Sequence, residues 1–329
     1  MRGQWTGEAM LQKAMDGPTP AGQPYLWQWN TVRQMLEEAG RALPESMGNR
    51  RSLLFNNPGL PQPTTTHTIN MGVQQIHPGE TAWSHRHSMT ALRFIIEGSV
   101  EAETIVNGEL CPMETFDLIL TPSSAWHDHH NRASASVTWL DVLDVPLVLS
   151  LNQTFYQPGT QHSQAVSEGM HVSLGGLVRP AGSRSSHPVR SMRYPWRQIE
   201  PQLRALAEQD GSIYDAAALE YVNPMTGGSV LPSLGCWIQW VRPAEKTASH
   251  RHTSSAVYFV VRGHGRTMVG DVELRWGPRD CFVIPNWSWH SHENLALDNE
   301  AILFSVNDAP VLEALGLYRE ELGPKTRET

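Results

Sequence analysis

Histidine residues are the first feature of this sequence that points to chemistry. The chain has 15 histidines among 329 residues, and they form four His-x-His pairs where random placement would give ~0.7. The pairs are His85/His87, His127/His129, His250/His252 and His290/His292. Because side chains alternate along a strand, both imidazoles of a pair point to the same side. Such paired imidazoles predict metal binding.

Two groups of three histidines are the predicted metal ligands. Neutral imidazoles suit iron, zinc or copper better than magnesium or calcium. Three protein ligands leave positions open for reactants, which is typical of a catalytic site rather than a structural one. We predict a primary site at His85, His87 and His127, and a secondary site at His250, His252 and His290.

The two groups lie in two copies of one sequence unit. The triplet His-Arg-His at position 85 recurs 165 residues later, and a Pro-x4-His-x3-Asn motif at Pro122 recurs 163 residues later at Pro285. Matched landmarks in the same order indicate a duplicated domain. A stretch rich in Ser, Gly and Pro between the copies is typical of a linker. The predicted organisation is an N-terminal domain over 1–156, a linker over 157–193 and a C-terminal domain over 194–329.

The elements that must position these histidines are mainly short strands. The run 91–96 is apolar apart from Arg93, and the run 100–106 ends at Asn107-Gly108, a strong hairpin signal. The second copy has a similar run at 256–261. Many short strands separated by Gly and Pro turns predict an all-β sandwich or jelly-roll barrel, and with the duplication they predict two small β-barrels in tandem. Helical spacing of apolar residues predicts short flanking helices at 27–39 with a stop at Gly40, at 199–207 and at 310–322.

Composition narrows the class of protein. With 25 basic and 33 acidic residues the formal net charge is −8, which disfavours nucleic-acid binding because phosphate recognition needs a basic surface. No apolar run reaches about 18 residues, so we expect no membrane span. The three cysteines include no Cys-x-x-Cys pair. This disfavours a disulfide framework or a thiolate metal site and predicts a reducing, cytoplasmic location.

Several of these stretches together resemble a known family. Gly79 and the first His-x-His pair resemble the first cupin motif, and the segment from Pro122 to Asn131 resembles the second. The resemblance narrows to the bicupin gentisate 1,2-dioxygenases, with salicylate and 1-hydroxy-2-naphthoate dioxygenases as relatives. It covers most of the chain. The stretches that carry it are SHRHSMTALRFIIEG, TPSSAWHDHHN, LDVLDVPLV, SHRHTSSAVYFVVRG and PNWSWHSHEN.

Some positions depart from the family pattern. Many cupins have a glutamate as a fourth ligand after the His pair, but Ala91 and Ala256 occupy that place here. This resembles the three-histidine ring-cleaving enzymes and disfavours an oxalate decarboxylase. Asn70 stands where a tryptophan is common, and Val142 where a glycine is common. Both lie near the family's substrate pocket and bear on the choice of substrate.

The resemblance implies an enzyme that uses Fe(II) and O₂ to cleave an aromatic ring. Its substrate would be a small aromatic acid with a hydroxyl group ortho to the carboxylate, and the ring would open between the two substituted carbons. Gentisate is the first expected substrate, with a substituted salicylate or 1-hydroxy-2-naphthoate as the alternative. A non-enzymatic bicupin and a zinc-dependent bicupin are more distant alternatives. We also expect a homo-oligomer, either a dimer or a tetramer.

Arg93 is the candidate for binding the carboxylate. Its even spacing from His85 and His87 predicts that it lies on the same strand and faces the same interior. A guanidinium inside a barrel needs an anion, and a substrate carboxylate is a natural bidentate partner. The alternative partner is Asp141, which is also a candidate substrate-binding residue. Tyr258 occupies the place of Arg93 in the second copy, which indicates that the copies differ in function.

Four further residues are candidates for work at the first site. His129 is predicted to share a face with His127 and to deprotonate the phenol or assist dioxygen chemistry. Its alternative role is a hydrogen bond that holds a ligand. Gln74 resembles a pocket glutamine of the family, with core packing as the alternative. Arg50 and Arg51 precede a strand and are candidates for substrate binding, with a solvated surface as the alternative.

Overall fold

The computed structural model describes residues 11–13, 15, 17–42, 51–166, 193–209, 211–224 and 226–324. Over these residues the chain forms two β-barrels in tandem, and each barrel is enclosed by a six-stranded and a five-stranded sheet. The strand pairs that build both barrels are antiparallel. The prediction of an all-β protein with two tandem jelly-roll barrels is confirmed.

Strands β1 to β12 lie in the first part of the chain. They are β1 (Tyr25–Trp27), β2 (Arg51–Leu54), β3 (Asn70–Ile76), β4 (Thr81–His87), β5 (Ala91–Glu97), β6 (Ser99–Val106), β7 (Glu109–Met113), β8 (Leu118–Thr121), β9 (His127–Asn131), β10 (Val137–Leu143), β11 (Tyr156–Pro158) and β12 (Arg193–Tyr194). The first barrel combines the sheet β12-β8-β5-β10-β3-β2 with the sheet β11-β4-β9-β6-β7.

Strands β13 to β22 lie in the second part of the chain. They are β13 (Ala217–Glu220), β14 (Gly235–Val241), β15 (His250–His252), β16 (Ala256–Arg262), β17 (Gly265–Val269), β18 (Val272–Trp276), β19 (Cys281–Ile284), β20 (His290–Asn294), β21 (Ala301–Asn307) and β22 (Glu320–Leu322). The second barrel combines the sheet β1-β19-β16-β21-β14-β13 with the sheet β18-β17-β20-β15-β22.

The histidine-bearing strands of each barrel are neighbours in the five-stranded sheet. His85 on β4 pairs with His127 on β9, and His250 on β15 pairs with His290 on β20. Arg93 lies on β5, in the six-stranded sheet, because the chain bends at residues 88–90 between β4 and β5. The prediction that Arg93 shares a strand with the histidine pair is therefore wrong, although its side chain does face the same interior.

Strand β5 has apolar side chains on both faces around Arg93, because both faces of this strand are covered. The side chain of Phe94 points out of the first barrel and stacks on Phe304 of the second, with ring centroids 4.2 Å apart. On the other face, Ile95 packs inside the first barrel with Trp139. The six-stranded sheets of the two barrels therefore pack against each other over one shared apolar core.

The predicted hairpin between β6 and β7 is present. Asn107 has a φ of 50° and Gly108 a φ of 80°, and the two strands pair directly around them. Positive φ at both central residues is what a type I′ turn requires, and its twist matches that of the flanking strands. The hairpin keeps β6 beside β9, the strand that carries His127.

The flanking helices differ in part from the prediction. They are α1 (Trp29–Ala42), α2 (Val145–Ser150), α3 (Trp196–Ala207) and α4 (Ala309–Ala314). Trp27 lies in β1 rather than in a helix, and the predicted stop at Gly40 is wrong because α1 continues to its end at Ala42. A glycine typically ends a helix where it adopts a positive φ, and Gly40 does not.

The predicted helix over 310–322 is wrong beyond Ala314. Gly316 has a φ of 69°, a left-handed conformation that ends the helix. The chain then returns as β22 and pairs with the histidine-bearing strand β15. The first barrel has the same arrangement, because α2 is followed by β11, which pairs with β4. In each copy, the strand that carries the first His-x-His pair is thus flanked by a strand from the end of the same copy.

The leading elements of each copy cross to the other barrel. Strand β1 pairs with β19 of the second barrel, whereas β12 pairs with β8 of the first. The backbone N–H of Trp29 donates to Asp280 at 2.7 Å, and that of Trp196 donates to Asp117 at 2.8 Å. These carboxylates accept from the first N–H groups of helices α1 and α3, where the helix dipole favours negative charge. The exchange ties the barrels together.

The beginning of the predicted linker packs on the first barrel. Residues 157 and 158 belong to β11, and the N–H of Gly159 donates to the carbonyl oxygen of Ser84 at 2.7 Å. Residues 167–192 of the predicted linker lie outside the described residues. The division into 1–156, 157–193 and 194–329 stays a prediction.

Two expectations from composition concern cysteines and membrane spans. Cys111, Cys236 and Cys281 are all buried and free of disulfide bonds, as their spacing predicts. Among the described residues, none of the helices has both the length and the apolar character that crossing a bilayer requires.

Candidate active site

The first histidine triad comes together inside the first barrel. His85 and His127 lie opposite each other on β4 and β9, and His87 lies two residues farther along β4. One ligand nitrogen from each residue lies within 4.8 Å of the other two. All three side chains are buried. The structure therefore brings the predicted primary ligands to one place.

Backbone carbonyl groups fix the orientation of these three rings. The Nδ1 atoms of His85, His87 and His127 lie 2.8, 3.0 and 3.0 Å from the carbonyl oxygens of Trp83, Met89 and Ala125, respectively. A carbonyl oxygen only accepts, so each Nδ1 carries the proton and donates it. Nε2 is then the unprotonated nitrogen, which is the form that ligates a metal.

His127 provides the clearest test of whether a metal ion fits. Its Nε2 atom is buried and has no hydrogen-bond partner among the described residues. Burial, and then the positive charge of Arg93 and the neighbouring imidazoles, holds the pKa of His127 well below its usual value. The ring is therefore neutral at pH 7. A buried, neutral nitrogen aimed at two other such nitrogens fits a transition-metal ion.

A cavity of about 230 Å³ opens beside the first triad. A cavity of about 150 Å³ holds benzene, so this one has room for a single substituted ring. Both polar and apolar residues line it. They are Ser52, Leu54, Asn70, Gly72, Gln74, His85, His87, Arg93, Asp141, Leu143, Val145 and Tyr156.

Arg93, Asp141 and Gln74 form one connected group in the cavity wall. The Nε atom of Arg93 lies 3.6 Å from Oδ1 of Asp141, and its Nη1 donates to the hydroxyl of Thr121. The amide of Gln74 donates to Oδ2 of Asp141 at 2.7 Å. Arg93 and Asp141 are only 1% and 7% exposed, so little water screens their charges. Arg93 thus forms an ion pair with Asp141 and also lines the cavity.

His129 lies next to the triad but deeper in the barrel. Its ring centroid is 6.0 Å from that of His127 and 5.1 Å from that of Trp139. Its Nδ1 atom forms a hydrogen bond with the hydroxyl of Thr104 at 2.8 Å. The side chain is fully buried and is not among the described residues that line the cavity.

Of the two predicted arginines, Arg51 does not line the cavity. Arg51 is buried on the opposite face of β2, where Nη1 and Nη2 donate to the two carboxylate oxygens of Glu80 at 2.6 and 2.8 Å. This bidentate pair fixes its side chain away from the site. Arg50 lies outside the described residues.

Sequence reasoning misses two residues of the cavity wall. Ser52 pairs with Gln74 across β2 and β3 and faces the same interior. Tyr156 pairs with His87 on β4, and its ring lies 5.4 Å from that of His85. Even spacing from the other pocket residues identifies neither, because both lie on short strands whose pairing depends on distant parts of the chain. Tyr156 after α2 corresponds to Glu320 after α4, since each pairs with the second histidine of its His-x-His pair. This correspondence between the copies becomes visible only once the strands are known.

The second histidine triad also comes together, inside the second barrel. One nitrogen from each of His250, His252 and His290 lies within 4.8 Å of the other two, and Nε2 of His250 lies 2.9 Å from Nε2 of His290. In place of a backbone carbonyl, the carboxylate of Glu320 on β22 holds Nδ1 of His250 at 3.2 Å. Burial, with the neighbouring His250, lowers the pKa of His252 to about 4.

The cavity beside the second triad has a different charge. Its volume is about 180 Å³, and no lysine or arginine lines it among the described residues. Tyr258 lies at the place of Arg93, stacked on Phe282 with 4.7 Å between ring centroids. Burial, and then the charge of Asp215, raises the pKa of the Tyr258 phenol. Four carboxylates contribute to the wall: Asp215, Glu220, Glu313 and Glu320.

Two buried aspartates join the barrels in a matched way. Asp144, which follows β10, accepts from the N–H and the hydroxyl of Thr90 at 2.9 and 2.8 Å. It also accepts from the hydroxyl of Ser233, a second-barrel residue, at 2.5 Å. Asp308, which follows β21, accepts from the hydroxyl of Thr68 in the first barrel at 2.5 Å. In each copy, the aspartate thus binds a loop of the other copy and also the residues that follow the first histidine-bearing strand of its own copy.

Comparison with known proteins agrees with this architecture. A family model described as a cupin domain matches residues 72–143 and 237–307, one match in each barrel. The chain is 42% identical over 326 residues to a 1-hydroxy-2-naphthoate 1,2-dioxygenase of Nocardioides sp. (strain KP7), covering 98% of this chain and 84% of the relative. It is 43% identical over 315 residues to a 5-aminosalicylate 1,2-dioxygenase of Comamonas sp., covering 92% and 83%.

A solved structure shows the same fold over the whole chain. A salicylate 1,2-dioxygenase variant from Pseudoaminobacter salicylatoxidans, crystallised in complex with gentisate, superimposes with a TM-score of 0.85 at 28% identity. The match covers 99% of this chain and 92% of that one. The chain belongs to the bicupin family of ring-cleaving 1,2-dioxygenases of the gentisate and salicylate type.

Proposed function

We propose that the first barrel binds Fe(II) through His85, His87 and His127 and cleaves the ring of an aromatic ortho-hydroxy acid with O₂. Three neutral nitrogens that point at one spot support this site, because imidazoles suit iron and three protein ligands leave positions for reactants. When bound, Fe(II) would supply the electron transfer that joins dioxygen to the ring. The ring would open between the carboxyl-bearing and hydroxyl-bearing carbons.

One observation carries this proposal: a buried arginine shares the cavity with the triad. Arg93 lines the same cavity as His85 and His87, and its guanidinium suits the two oxygens of a carboxylate. Asp141, 3.6 Å from Nε, keeps the guanidinium in place. An acid with an adjacent hydroxyl can therefore bind with its carboxylate beside Arg93 and its reacting carbons beside the triad.

The substrate that we propose first is gentisate. The cavity of about 230 Å³ suits one substituted ring, and the polar side chains in its wall, which include Ser52, Asn70 and Gln74, suit a ring with several polar groups. A substituted salicylate is the close alternative, and 1-hydroxy-2-naphthoate is the bulkier one. Two relatives support these alternatives, because one is named a 5-aminosalicylate 1,2-dioxygenase and the other a 1-hydroxy-2-naphthoate 1,2-dioxygenase.

Two further residues complete the proposed machinery. We assign to His129 the movement of a proton during the reaction, supported by its place 6.0 Å from His127 and its hydrogen bond to Thr104. Gln74 would orient the substrate, supported by its place in the cavity wall and its bond to Asp141. Asp141 would act through Arg93 and Gln74 rather than by contact with reacting atoms.

The second triad would hold a second metal ion of lesser importance for turnover. Its nitrogens, like those of the first triad, lie within 4.8 Å of one another. Its cavity, however, has acidic residues and no described lysine or arginine, so a carboxylate substrate would meet like charge there. We therefore assign the reaction to the first barrel.

Metal analysis combined with oxygen uptake tests this function. The purified chain would be loaded anaerobically with Fe(II) or with zinc, and oxygen uptake would be followed with gentisate, salicylate, 5-aminosalicylate and 1-hydroxy-2-naphthoate. We expect uptake only with iron and with at least one of these acids. Uptake with none of them would favour a non-enzymatic bicupin, and a reaction without oxygen uptake in the zinc form would favour a zinc enzyme.

Assembly and location belong to the same proposal. We propose a homo-oligomer, a dimer or a tetramer, and light scattering of the purified chain measures the number of copies. A cytoplasmic location is supported by three buried cysteines that form no disulfide bond. Fractionation of the cells that produce the protein checks it.

A further inference from the structure

Strand β3 contributes two side-chain amides to the wall of the first cavity. Asn70 and Gln74 lie on either side of Gly72 at even spacing, and all three line the cavity. In the part of the chain that the structure describes, Oδ1 of Asn70 and Oε1 of Gln74 are buried and receive no hydrogen bond. Leaving a buried acceptor without a donor is unfavourable. Both oxygens are therefore suited to donors that a ligand brings.

The two acceptors belong to different ends of the cavity. The amide of Gln74 donates to Asp141, and Asp141 is the neighbour of Arg93. Gln74 therefore lies at the end where the substrate carboxylate is proposed to bind. Asn70 has no such connection to the ion pair among the described residues, and it lines the cavity at a place where the proposed reaction needs no group.

Strand register indicates how far Asn70 lies from the carboxylate end. Two neighbouring rows of residues cross the cavity face of the sheet. The first row is Gly72, Asp141 and Arg93, and the second is Asn70, Leu143 and Ala91. Rows two residues apart are separated by about 6.6 Å along a strand, which is comparable to the length of a benzene ring with one substituent. A ring whose carboxylate lies at the first row therefore reaches the second with its far edge.

Among the described residues of that second row, Asn70 is the only polar side chain that lines the cavity. Thr121, which pairs with Ala91 at the far end of the row, is also polar, but it accepts a hydrogen bond from Arg93 and does not line the cavity. Leu143 and Ala91 offer apolar contact and no hydrogen bond. The ring also has room between the rows, because Gly72 has no side chain and cannot easily gain one: an added Cβ would lie 2.4 Å from the carbonyl oxygen of Leu53 on β2. The far edge of a bound ring thus meets one acceptor in an otherwise apolar wall.

We propose that Oδ1 of Asn70 accepts a hydrogen bond from a hydroxyl or amino group on the ring edge remote from the carboxylate, at position 4 or 5. This makes Asn70 a specificity-determining residue, and it makes the preferred substrate an ortho-hydroxybenzoate that carries a second hydrogen-bond donor. The inference rests on the proposed function. It favours gentisate and 5-aminosalicylate over salicylate and over a bicyclic acid, which bring no donor to that edge.

The experiment compares two rings of similar size that differ in the donor. The iron-loaded enzyme would be assayed with gentisate and with 5-methylsalicylate, and the dissociation constants of both would be measured calorimetrically without oxygen. We expect the wild type to prefer gentisate by about tenfold in kcat/KM and in affinity, as one hydrogen bond to a buried acceptor predicts. The pairs 5-aminosalicylate with salicylate and 4-aminosalicylate with 4-methylsalicylate distinguish positions 5 and 4.

The matched variants are Asn70→Leu and Leu143→Ala, which change the same row. Asn70→Leu keeps the size of the side chain and removes the acceptor, so the ratio between gentisate and 5-methylsalicylate should fall to about 1. Leu143→Ala keeps the acceptor and should change both substrates alike. Because each result is a ratio within one protein, altered iron loading cancels. Should Asn70→Leu fail to fold, Asn70→Ser serves the same comparison.

The outcomes separate this inference from the proposed function. A wild type that cleaves both rings equally well, or an Asn70→Leu variant that keeps the preference, overturns the role of Asn70 and leaves the function intact. A preference for 5-nitrosalicylate, which offers only acceptors, overturns it as well. A wild type that cleaves none of the rings but binds gentisate more tightly than 5-methylsalicylate overturns the proposed function and supports the role of Asn70.

Discussion

The two barrels present the same three imidazoles in surroundings of different charge. In the first, a buried arginine and a glycine face the triad; in the second, a tyrosine, a tryptophan and four carboxylates do. The matched positions that differ are Arg93 and Tyr258, Gly72 and Trp237, Asp141 and Ser305, and Tyr156 and Glu320. A metal triad therefore does not by itself define the reaction, because the wall opposite it selects what can bind.

The location of the differences explains how one chain can hold two such sites. The triads lie on the five-stranded sheets, and three of the four exchanged pairs lie on the six-stranded sheets that face them. Trp237 fills the space that Gly72 leaves open, and Tyr258 replaces a fixed positive charge with a neutral phenol. The metal-bearing sheets keep the same ligands in both copies, while the facing sheets account for the contrast in charge and space.

The largest expected effect comes from removing one ligand in each barrel. His85→Ala should abolish oxygen uptake with gentisate, because two imidazoles do not hold the metal in place at the reacting carbons. His250→Ala, the matched change, should keep most of the activity while iron per chain falls from two to one. Oxygen uptake and iron content are measured on the same preparations.

Each result for this pair has a defined meaning. Full activity in His85→Ala would contradict the assignment of the first barrel as the reaction site. Complete loss of turnover in a well-folded His250→Ala protein would show that the second centre takes part in the reaction. Circular dichroism of both variants controls for unfolding.

The duplication, the triads and the fold class could be predicted from the sequence because they are local patterns repeated at matched intervals. The strand pairs that depend on distant contacts could not. Strand β1 has three residues and pairs with a strand more than 250 residues away. Strand β22 replaced a predicted helix, because apolar residues at helical spacing continue past Gly316, and its positive φ is not visible in the sequence.

The candidate site divides in the same way. Arg93 could be placed on the cavity face, although the alternation that predicts this assumes one strand from His85 to Arg93 and the structure has two, β4 and β5. Arg51 could not be assigned correctly, because its direction is set by a bidentate pair with Glu80, 29 residues away. Tyr156 could not be found, because its strand exists only through pairing with β4.

The second effect concerns the two deeper histidines. His129 and His292 form matched hydrogen bonds to threonine hydroxyls, at 2.8 Å to Thr104 and 2.9 Å to Thr267. His129→Gln should lower kcat by about 100-fold, the usual contribution of proton transfer by a side chain, with iron content unchanged. His292→Gln should leave kcat unchanged. The measurement is kcat across pH 5 to 9 for both variants.

The pH profile distinguishes proton transfer from a structural role. A structural role for His129 would lower thermal stability or iron content and leave the shape of the kcat profile as in the wild type. Proton transfer would remove one limb of that profile. Equal losses of kcat in both variants would contradict the contrast between the barrels.

A smaller effect is expected at the residues that carry the charge contrast. Arg93→Gln should lower kcat/KM for gentisate by about 30-fold, mainly through KM, because hydrogen bonds to a charged group contribute about 1.5–3 kcal/mol. Tyr258→Phe should change neither constant. The comparison is made by steady-state oxygen uptake at matched iron content. An unchanged KM in Arg93→Gln would contradict carboxylate binding by this residue.

Removing Arg93 also leaves Asp141 buried beside no guanidinium, which destabilises a protein. The double variant Arg93→Gln with Asp141→Asn removes both charges and serves as the control. It should recover thermal stability lost in the single variant but not the affinity for gentisate. Recovery of both would show that the loss came from misfolding and not from the missing carboxylate partner.

The smallest effect concerns the joint between the barrels and has a pH dependence of known sign. Burial raises the pKa of the Asp144 carboxyl above its usual value, although hydrogen bonds from Ser233 and Thr90 lower it in part. The folded state therefore binds this proton more tightly than the unfolded state. The stability that it contributes is fully present below about pH 3.8 and is lost as pH rises through the raised value.

Asp144→Asn keeps the shape of the side chain and cannot lose a proton. Relative to the wild type, its free energy of unfolding should rise between pH 4 and 7, by an amount on the order of 1 kcal/mol. Urea unfolding of both proteins over this range measures the difference, in which the titration of the shared histidines cancels. A difference that stays constant with pH, or that falls as pH rises, would show that Asp144 is ionised throughout and that the joint is held by a buried charge.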